Sequence, residues 1–351
     1  MTPIRVLAFY DYKGWAWWHR LHQVQRHLPP DIRMDIREVY DNFPYAQYDF
    51  FLILEEYLLP LLRYIPARKI IAGSSCARIA CKAASAQKAG KCLGTVFNSL
   101  EMYRMAGSLE HTYCCQNGVD PELFSPTPQP PATFTACWIG NGSSICEKGL
   151  DIIQAACARA GVPLLYRDQS RERTALRQED VRDRYYRKAS VYLCASQWEG
   201  TPNPALEALA CGLPVISTPV GNMPELLIDG HNGFLVQRTA EDIAAALRRM
   251  RDMDQTILRA NARQSILHGW TWAQQAQKYA AMFRELAAFN GLAPDGSNDA
   301  PTRGYMEHLF CSAASLLRQG QTSEAARALS WACRYTPIWR AARHAKLVFR
   351  H

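Results

Sequence analysis

The chain has 351 residues, which excludes a single core of ordinary size and suits two domains and a remnant. Hydrophobic residues make up 48% and charged residues 21%, the balance of a soluble globular protein. A net charge of +8 at pH 7 suits phosphorylated ligands, acidic glycans or a membrane surface, and no pattern asks for nucleic acid.

In chain order, "IRVLAFYDY" is a strand that follows Met1-Thr-Pro directly. That leaves no signal peptide and predicts a cytoplasmic protein. "WAWWHRLHQVQRHL" has the pattern of a helix and "YDFFLILEE" that of a buried strand. The apolar stretch around the latter is broken by Glu55, Glu56 and Pro60 and cannot span a bilayer. "ARKIIAGSS", "CLGTVFNS" and "TYCCQNGVD" are further strands. Strand–helix alternation predicts a parallel sheet covered on both faces. The proline-rich loop Asp120 to Phe134 is expected to be a stiff interdomain linker.

The second half repeats the pattern: strand "TACWIG", helix "KGLDIIQAACARAG", strand "VPLLYR", helix "DVRDRYYRKA", strand "SVYLCAS". A helix, a strand, "GFLV" and a helix from Thr239 follow, Thr239 and Asp242 having capping-box spacing. The helix "TWAQQAQKYAAMFRELAAF" is expected to return to the first domain. Asp252-Met-Asp254 lies in a charged helix end and reads as solvated surface, so no metal is expected. The 12 cysteines show no C-x-x-C pair and no zinc spacing, as for buried thiols in a reducing compartment. Boundaries fall at 1–125, 126–292 and 304–351, the last a helical tail.

The stretch "EGTPNPALE" sets Glu199 and Glu207 eight residues apart around a Pro-Asn-Pro turn, directly after a strand. Asn203 is expected to cap a helix, Pro204 to open it, Glu207 to lie in its first turn and Gly212 to follow its end. Ligands of open α/β sheets bind beyond the carboxyl ends of the strands, and a helix N-terminus there seats an anion. Two acids for hydroxyls beside a phosphate seat suggest a sugar nucleotide.

Residues Ser196 to Val236, "SQWEGTPNPALEALACGLPVISTPVGNMPELLIDGHNGFLV", resemble the signature of retaining glycosyltransferases of family 4 (glycosyl transferases group 1). "CWIGNGSSICEKGLDIIQAA" resembles the family's glycine-loop and Lys-Gly segment, and "NGVDPELFSP" the segment ending its first domain. The resemblance is close over roughly residues 110 to 290, looser before and absent from the tail. It implies an α/β GT-B fold: two Rossmann-like parallel-sheet domains facing across a cleft, here with a small C-terminal helical extension.

By the same resemblance, Glu199 holds donor-sugar hydroxyls and Glu207 the ribose. Thr201, Pro202 and Asn203 form the loop against sugar and phosphate, and Lys148 neutralises the leaving diphosphate in place of a metal. Gly140, Asn141 and Gly221 let backbone approach phosphates. The donor is a nucleotide diphosphate-sugar, with UDP or GDP left open. The acceptor is a glycan, lipid-linked or protein hydroxyl, and no cofactor is required. The chain departs from the family in Asn141, where Arg is frequent, and in Glu55 or Glu56, where a His is common. Arg20, Lys13, Arg167 or Arg173 are other cations for phosphate. Trp15 and Trp17 either pack on the sheet or stack on an acceptor sugar, and His19 is structural or catalytic.

The tail "AASLLRQGQTSEAARALSWACRYTP" resembles one tetratricopeptide repeat and implies docking on the body, a dimer mate or a protein partner. Arg340, Arg343, Lys346 and Arg350 lie along one side of the last helical pattern, suited to solvent or to peripheral contact with anionic lipid at the inner membrane face. The other functional class is a non-catalytic glycosyltransferase-like subunit that binds nucleotide or glycan and acts through its tail.

Overall fold

The computed structural model describes residues 3–11, 13–14, 16–39, 47–77, 80–107, 109–127, 131–141, 145–171 and 176–291. The tail, Trp15 and Arg173 lie outside them. In the first half, β1 (Ile4–Tyr10), α1 (Ala16–His27), β2 (Ile32–Glu38), β3 (Phe50–Ile53) and β4 (Ile70–Ser74) lead to α2 (Ala80–Lys88), β5 (Gly94–Phe97), α3 (Leu100–Ala106) and β6 (Thr112–Cys114). The strands form one parallel sheet in the order β2-β1-β3-β4-β5-β6. Buried on both faces, β3 and β4 read as continuous apolar runs. The edge strand β2 alternates instead: Ile32 and Met34 are buried, Arg33 and Asp35 exposed.

The second half runs β7 (Ala136–Gly140), α4 (Ile145–Lys148), α5 (Leu150–Ala160), β8 (Leu164–Asp168), α6 (Gln178–Arg184), β9 (Val191–Cys194) and α7 (Asn203–Ala210). Then come β10 (Val215–Ser217), α8 (Met223–Leu226), β11 (Gly233–Leu235), α9 (Ala240–Arg251), α10 (Gln255–Leu267) and α11 (Trp272–Phe289). This sheet is also parallel, in the order β11-β10-β9-β7-β8.

α11 crosses back as its sequence predicts. A capping box of Thr271 and Gln274 starts it. Trp272, Tyr279, Phe283 and Leu286 then enter the core of the first sheet with Val6, Phe50 and Ile71. The outgoing linker and this return meet as Val119 N–H donates to Trp270 O at 2.9 Å and Trp272 N–H to Val119 O at 3.3 Å.

The described part of the linker is less a free spacer than its prolines predict. Arg263 donates to Phe124 O at 2.8 Å and Pro121 O at 2.9 Å, and Arg182 to Leu123 O at 2.8 Å, clamping it to the second domain. Both aspartates of Asp252-Met-Asp254 serve helix ends. Asp252 is the C-cap of α9, and Asp254 caps α10 by accepting from the N–H groups of Thr256 and Ile257. At the start of α9, Thr239 accepts from Asp242 N–H and its own hydroxyl donates to the Asp242 carboxylate at 2.6 Å, so the cap differs from a reciprocal box. None of the described helices is long and apolar enough to cross a membrane.

Candidate active site

The carboxyl ends of the two sheets face each other across a cleft of 530 Å³. From the first domain come Trp17 and Arg20 of α1, Glu55 after β3, Ser75 and Cys76 after β4, Asn98 after β5, and Asn117. The second domain contributes Gly140 at the end of β7 and Asn141 after it, Lys148, Gln169 after β8, and Ser196, Glu199 and Thr201–Pro204 after β9.

Lys148 and Glu199 form the centre of the second wall. Gly149 follows Lys148 at φ 68, and a Cβ there would lie 2.5 Å from Ala195 O, so the Lys-Gly turn packs against the end of β9 only with glycine. Lys148 Nζ donates to Glu199 Oε1 at 2.5 Å, and the Ser196 hydroxyl donates to the same oxygen at 2.7 Å. Burial works to lower the Lys148 pKa, but the Glu199 carboxylate outweighs it and the net shift is upward. The ammonium therefore stays charged within a partly enclosed site.

The start of α7 differs from the sequence expectation. The N-cap position is Pro202, and Asn203 is already helical. Its Oδ1 is used across the domains instead, accepting from Asn117 Nδ2 at 2.9 Å. Glu207 consequently sits in the second turn, off the lining of the cleft. It accepts from the buried Tyr186 hydroxyl at 2.6 Å, and burial pushes its carboxyl up to about 7. Gly212 follows the helix in a left-handed conformation, as expected.

Glu55 is 3% exposed. Its Oε1 accepts from Ser75 N–H at 3.0 Å, while Oε2 finds no hydrogen-bond partner among the described residues. Burial, then the adjacent Glu56, push this carboxyl up to about 8. The buried Arg20 guanidinium, which opposes that rise, donates to the Tyr279 hydroxyl at 2.7 Å and to Cys115 O at 3.0 Å. His19 is exposed and is not among the cleft residues; its ring meets Trp18 edge-on. Gly221 is likewise off the lining, donating its N–H to Glu101 of the first domain at 3.1 Å. Lys13 is exposed and Arg167 buried, both outside the lining.

Asn98 and Asn117 were not singled out from the sequence. Each follows a strand end in the first domain, and each has a buried Oδ1 without a partner among the described residues. With Glu55 Oε2 they leave three unfilled buried polar atoms on one wall, an arrangement a folded protein keeps for a ligand or ordered water.

The closed arrangement is held by contacts between the domains. Thr201 Oγ1 donates to Asn98 O at 3.2 Å, and Glu225 accepts from Leu100 N–H at 2.6 Å and Gln116 Nε2 at 2.7 Å. A Cβ on Gly200 would lie 2.2 Å from Ser75 O.

Whole-chain comparison with solved structures gives sucrose-phosphate synthase from Thermosynechococcus elongatus (TM-score 0.63, 16% identity, 82% of this chain and all of that one). Anabaena HepE, solved in complex with UDP and glucose, gives TM-score 0.61 at 15% identity over 80% of this chain and all of that one. The chain has the GT-B fold. Within it, residues 168–252 match the family model for glycosyl transferases group 1. The D-inositol 3-phosphate glycosyltransferase of Streptomyces avermitilis is 38% identical over 130 residues, 35% of this chain and 26% of that enzyme. The alpha-maltose-1-phosphate synthase of Mycolicibacterium smegmatis is 29% identical over 109 residues, 28% of either chain. These matches span about a quarter of the length of each curated relative.

Proposed function

We propose that this GT-B protein is a retaining glycosyltransferase of family 4 that moves a hexose from a nucleoside diphosphate to a hydroxyl of a glycan, lipid-linked or protein acceptor. One observation carries the reading: the Lys148–Glu199 pair faces a first-domain wall whose buried polar atoms on Glu55, Asn98 and Asn117 are unfilled. A cation for phosphate opposite several partners for hydroxyls suits a sugar diphosphate better than an apolar ligand. The UDP bound to HepE and to the pneumococcal O-GlcNAc transferase GtfA favours UDP as the carrier.

In this reading Glu199 accepts from hydroxyls of the donor sugar, and Glu207, half-buried beyond the cleft lining, takes a hydroxyl of a ribose that reaches past the cleft, beside its bond to Tyr186. Lys148 meets the negative charge that grows on the diphosphate as the anomeric carbon–oxygen bond breaks, the charge a metal supplies elsewhere. The acceptor oxygen bonds to the anomeric carbon from the face the diphosphate leaves, and its proton passes to a phosphate oxygen. No carboxylate nucleophile is needed, unlike the two-carboxylate retaining glycosidases. Domain closure keeps water from the donor. Trp17 and Arg20 line the acceptor side.

The test is product analysis with UDP-hexoses. Wild type should release UDP and form an α-linked product from an α-linked donor. Lys148→Ala and Glu199→Ala should each lower kcat by about a hundredfold or more while remaining folded. Inversion of configuration, or full activity in both variants, would overturn the mechanism.

A further inference from the structure

A second concavity of 940 Å³ lies on the first domain, between the 3₁₀ segment Glu56–Leu62, the turn after it and α2. Its floor is aliphatic, formed by Leu59, Ile65, Ile70 and Ala86, and among the described residues no aromatic side chain lines it. Its border carries Arg63, Lys82 and Lys91, all exposed. Among the described lining residues, Glu56 is the one carboxyl. Glu56 is 9% exposed, its Oε2 has no partner among the described residues, and burial raises its pKa against the opposing pull of Lys82. The 55–56 turn thus divides two sites, with Glu55 on the interdomain cleft and Glu56 on this groove.

Each feature narrows the ligand. An aliphatic floor without rings offers nothing for a sugar face to stack on, and it suits a flexible hydrocarbon chain. Three cations at the edge select an anionic head that stays near water, because desolvating it fully would be unfavourable. The unfilled carboxyl oxygen suits a head group carrying an O–H. A phosphate monoester supplies the charge and, in its monoanionic form, the hydroxyl, whereas a sulfate monoester has no proton to give and a quaternary ammonium is repelled.

We propose that this groove binds a lipid phosphate, the aliphatic chain of a phosphate monoester lying along Leu59, Ile65 and Ala86 with its phosphate at Lys82, Lys91 and Arg63. The site is separate from the donor cleft and does not depend on what that cleft catalyses.

Two thiols report on the two sites. Cys81 is exposed in the groove and Cys76 half-buried in the cleft, neither in a disulfide. The full chain is labelled with iodoacetamide and the rate at each cysteine read by peptide mass spectrometry. The ligands compared are dodecyl phosphate below its micellar concentration, inorganic phosphate, dodecyl maltoside and UDP. Saturating dodecyl phosphate should slow Cys81 labelling several-fold and leave Cys76 unchanged, and UDP should not protect Cys81. Lys82→Glu and Lys91→Glu, both surface changes compatible with folding, should each raise the half-protecting concentration about tenfold. Inorganic phosphate or dodecyl maltoside alone should protect far less. Equal labelling of Cys81 with and without dodecyl phosphate would overturn the proposal, as would an unchanged half-protecting concentration in both variants. Protection by inorganic phosphate as strong as by dodecyl phosphate would show an anion site with no role for the chain, and would equally overturn it.

Discussion

Glu55 can offer the cleft a proton only while it is uncharged. With a carboxyl held up to about 8, its Oε2 hydrogen is available at neutral pH for a ligand oxygen. An amide offers the same donor at every pH. Glu55→Gln should therefore keep kcat/KM within about threefold and lose the alkaline limb of the pH profile, while Glu55→Ala should lose on the order of a hundredfold at all pH. Stability should follow the same group. In the unfolded chain it ionises near 4.5 and in the folded chain near 8, so its contribution is fully present below pH 4.5 and is lost as pH rises through 8. Glu55→Gln should gain on the order of 3–5 kcal/mol relative to wild type across that window, read by denaturant titration at pH 5 and 9. Glu207 sets the opposite limb. In the proposed reading, where Glu207 accepts a ribose hydroxyl beside Tyr186, protonation of its carboxyl below about 7 weakens that contact. Nucleotide affinity measured by calorimetry should fall as pH drops from 8 to 6, and that dependence should vanish in Glu207→Gln.

α11 joins the second half of the chain to the first sheet, so its packing belongs to the stability of both halves. Phe283 is fully buried and stacks with Phe50 at 6.4 Å. Phe283→Ala should cost about 3–5 kcal/mol, measured by denaturant unfolding of the first domain. Why some elements were legible in the sequence follows from how they bury their surface. The central strands β3, β4 and β9 are apolar on both faces and stand out as unbroken runs. β2 was missed because an edge strand carries charges at alternate positions, Arg33, Asp35 and Arg37, which masks a short apolar pattern. The Lys148–Glu199 pair was legible because each lies in a local ordered motif. Asn98 and Asn117 carry no such signal: only the parallel topology, which puts the ends of different strands on one edge, brings them to the same cleft. Asn203 shows a different limit, since its type and position suit a helix cap and a contact between domains takes its side chain.

The molecule closes through backbone as much as through side chains. Gly200 meets Ser75 O, Asn203 meets Asn117, and Glu225 bridges Leu100 and Gln116. Gly200→Ala puts a methyl where the first domain's backbone lies, so the domains should be held apart while each stays folded. Small-angle scattering should give a larger radius of gyration for the variant, and KM for the donor should rise about tenfold or more. Whether this cleft takes a nucleoside diphosphate-sugar is read by thermal shift with UDP, GDP, ADP and their common sugars on wild type and Glu207→Ala. A ligand at a hundred times its dissociation constant adds about 2.7 kcal/mol of stability. UDP and a UDP-sugar should raise the melting temperature of wild type and fail on Glu207→Ala. No shift of wild type by any nucleotide would contradict it.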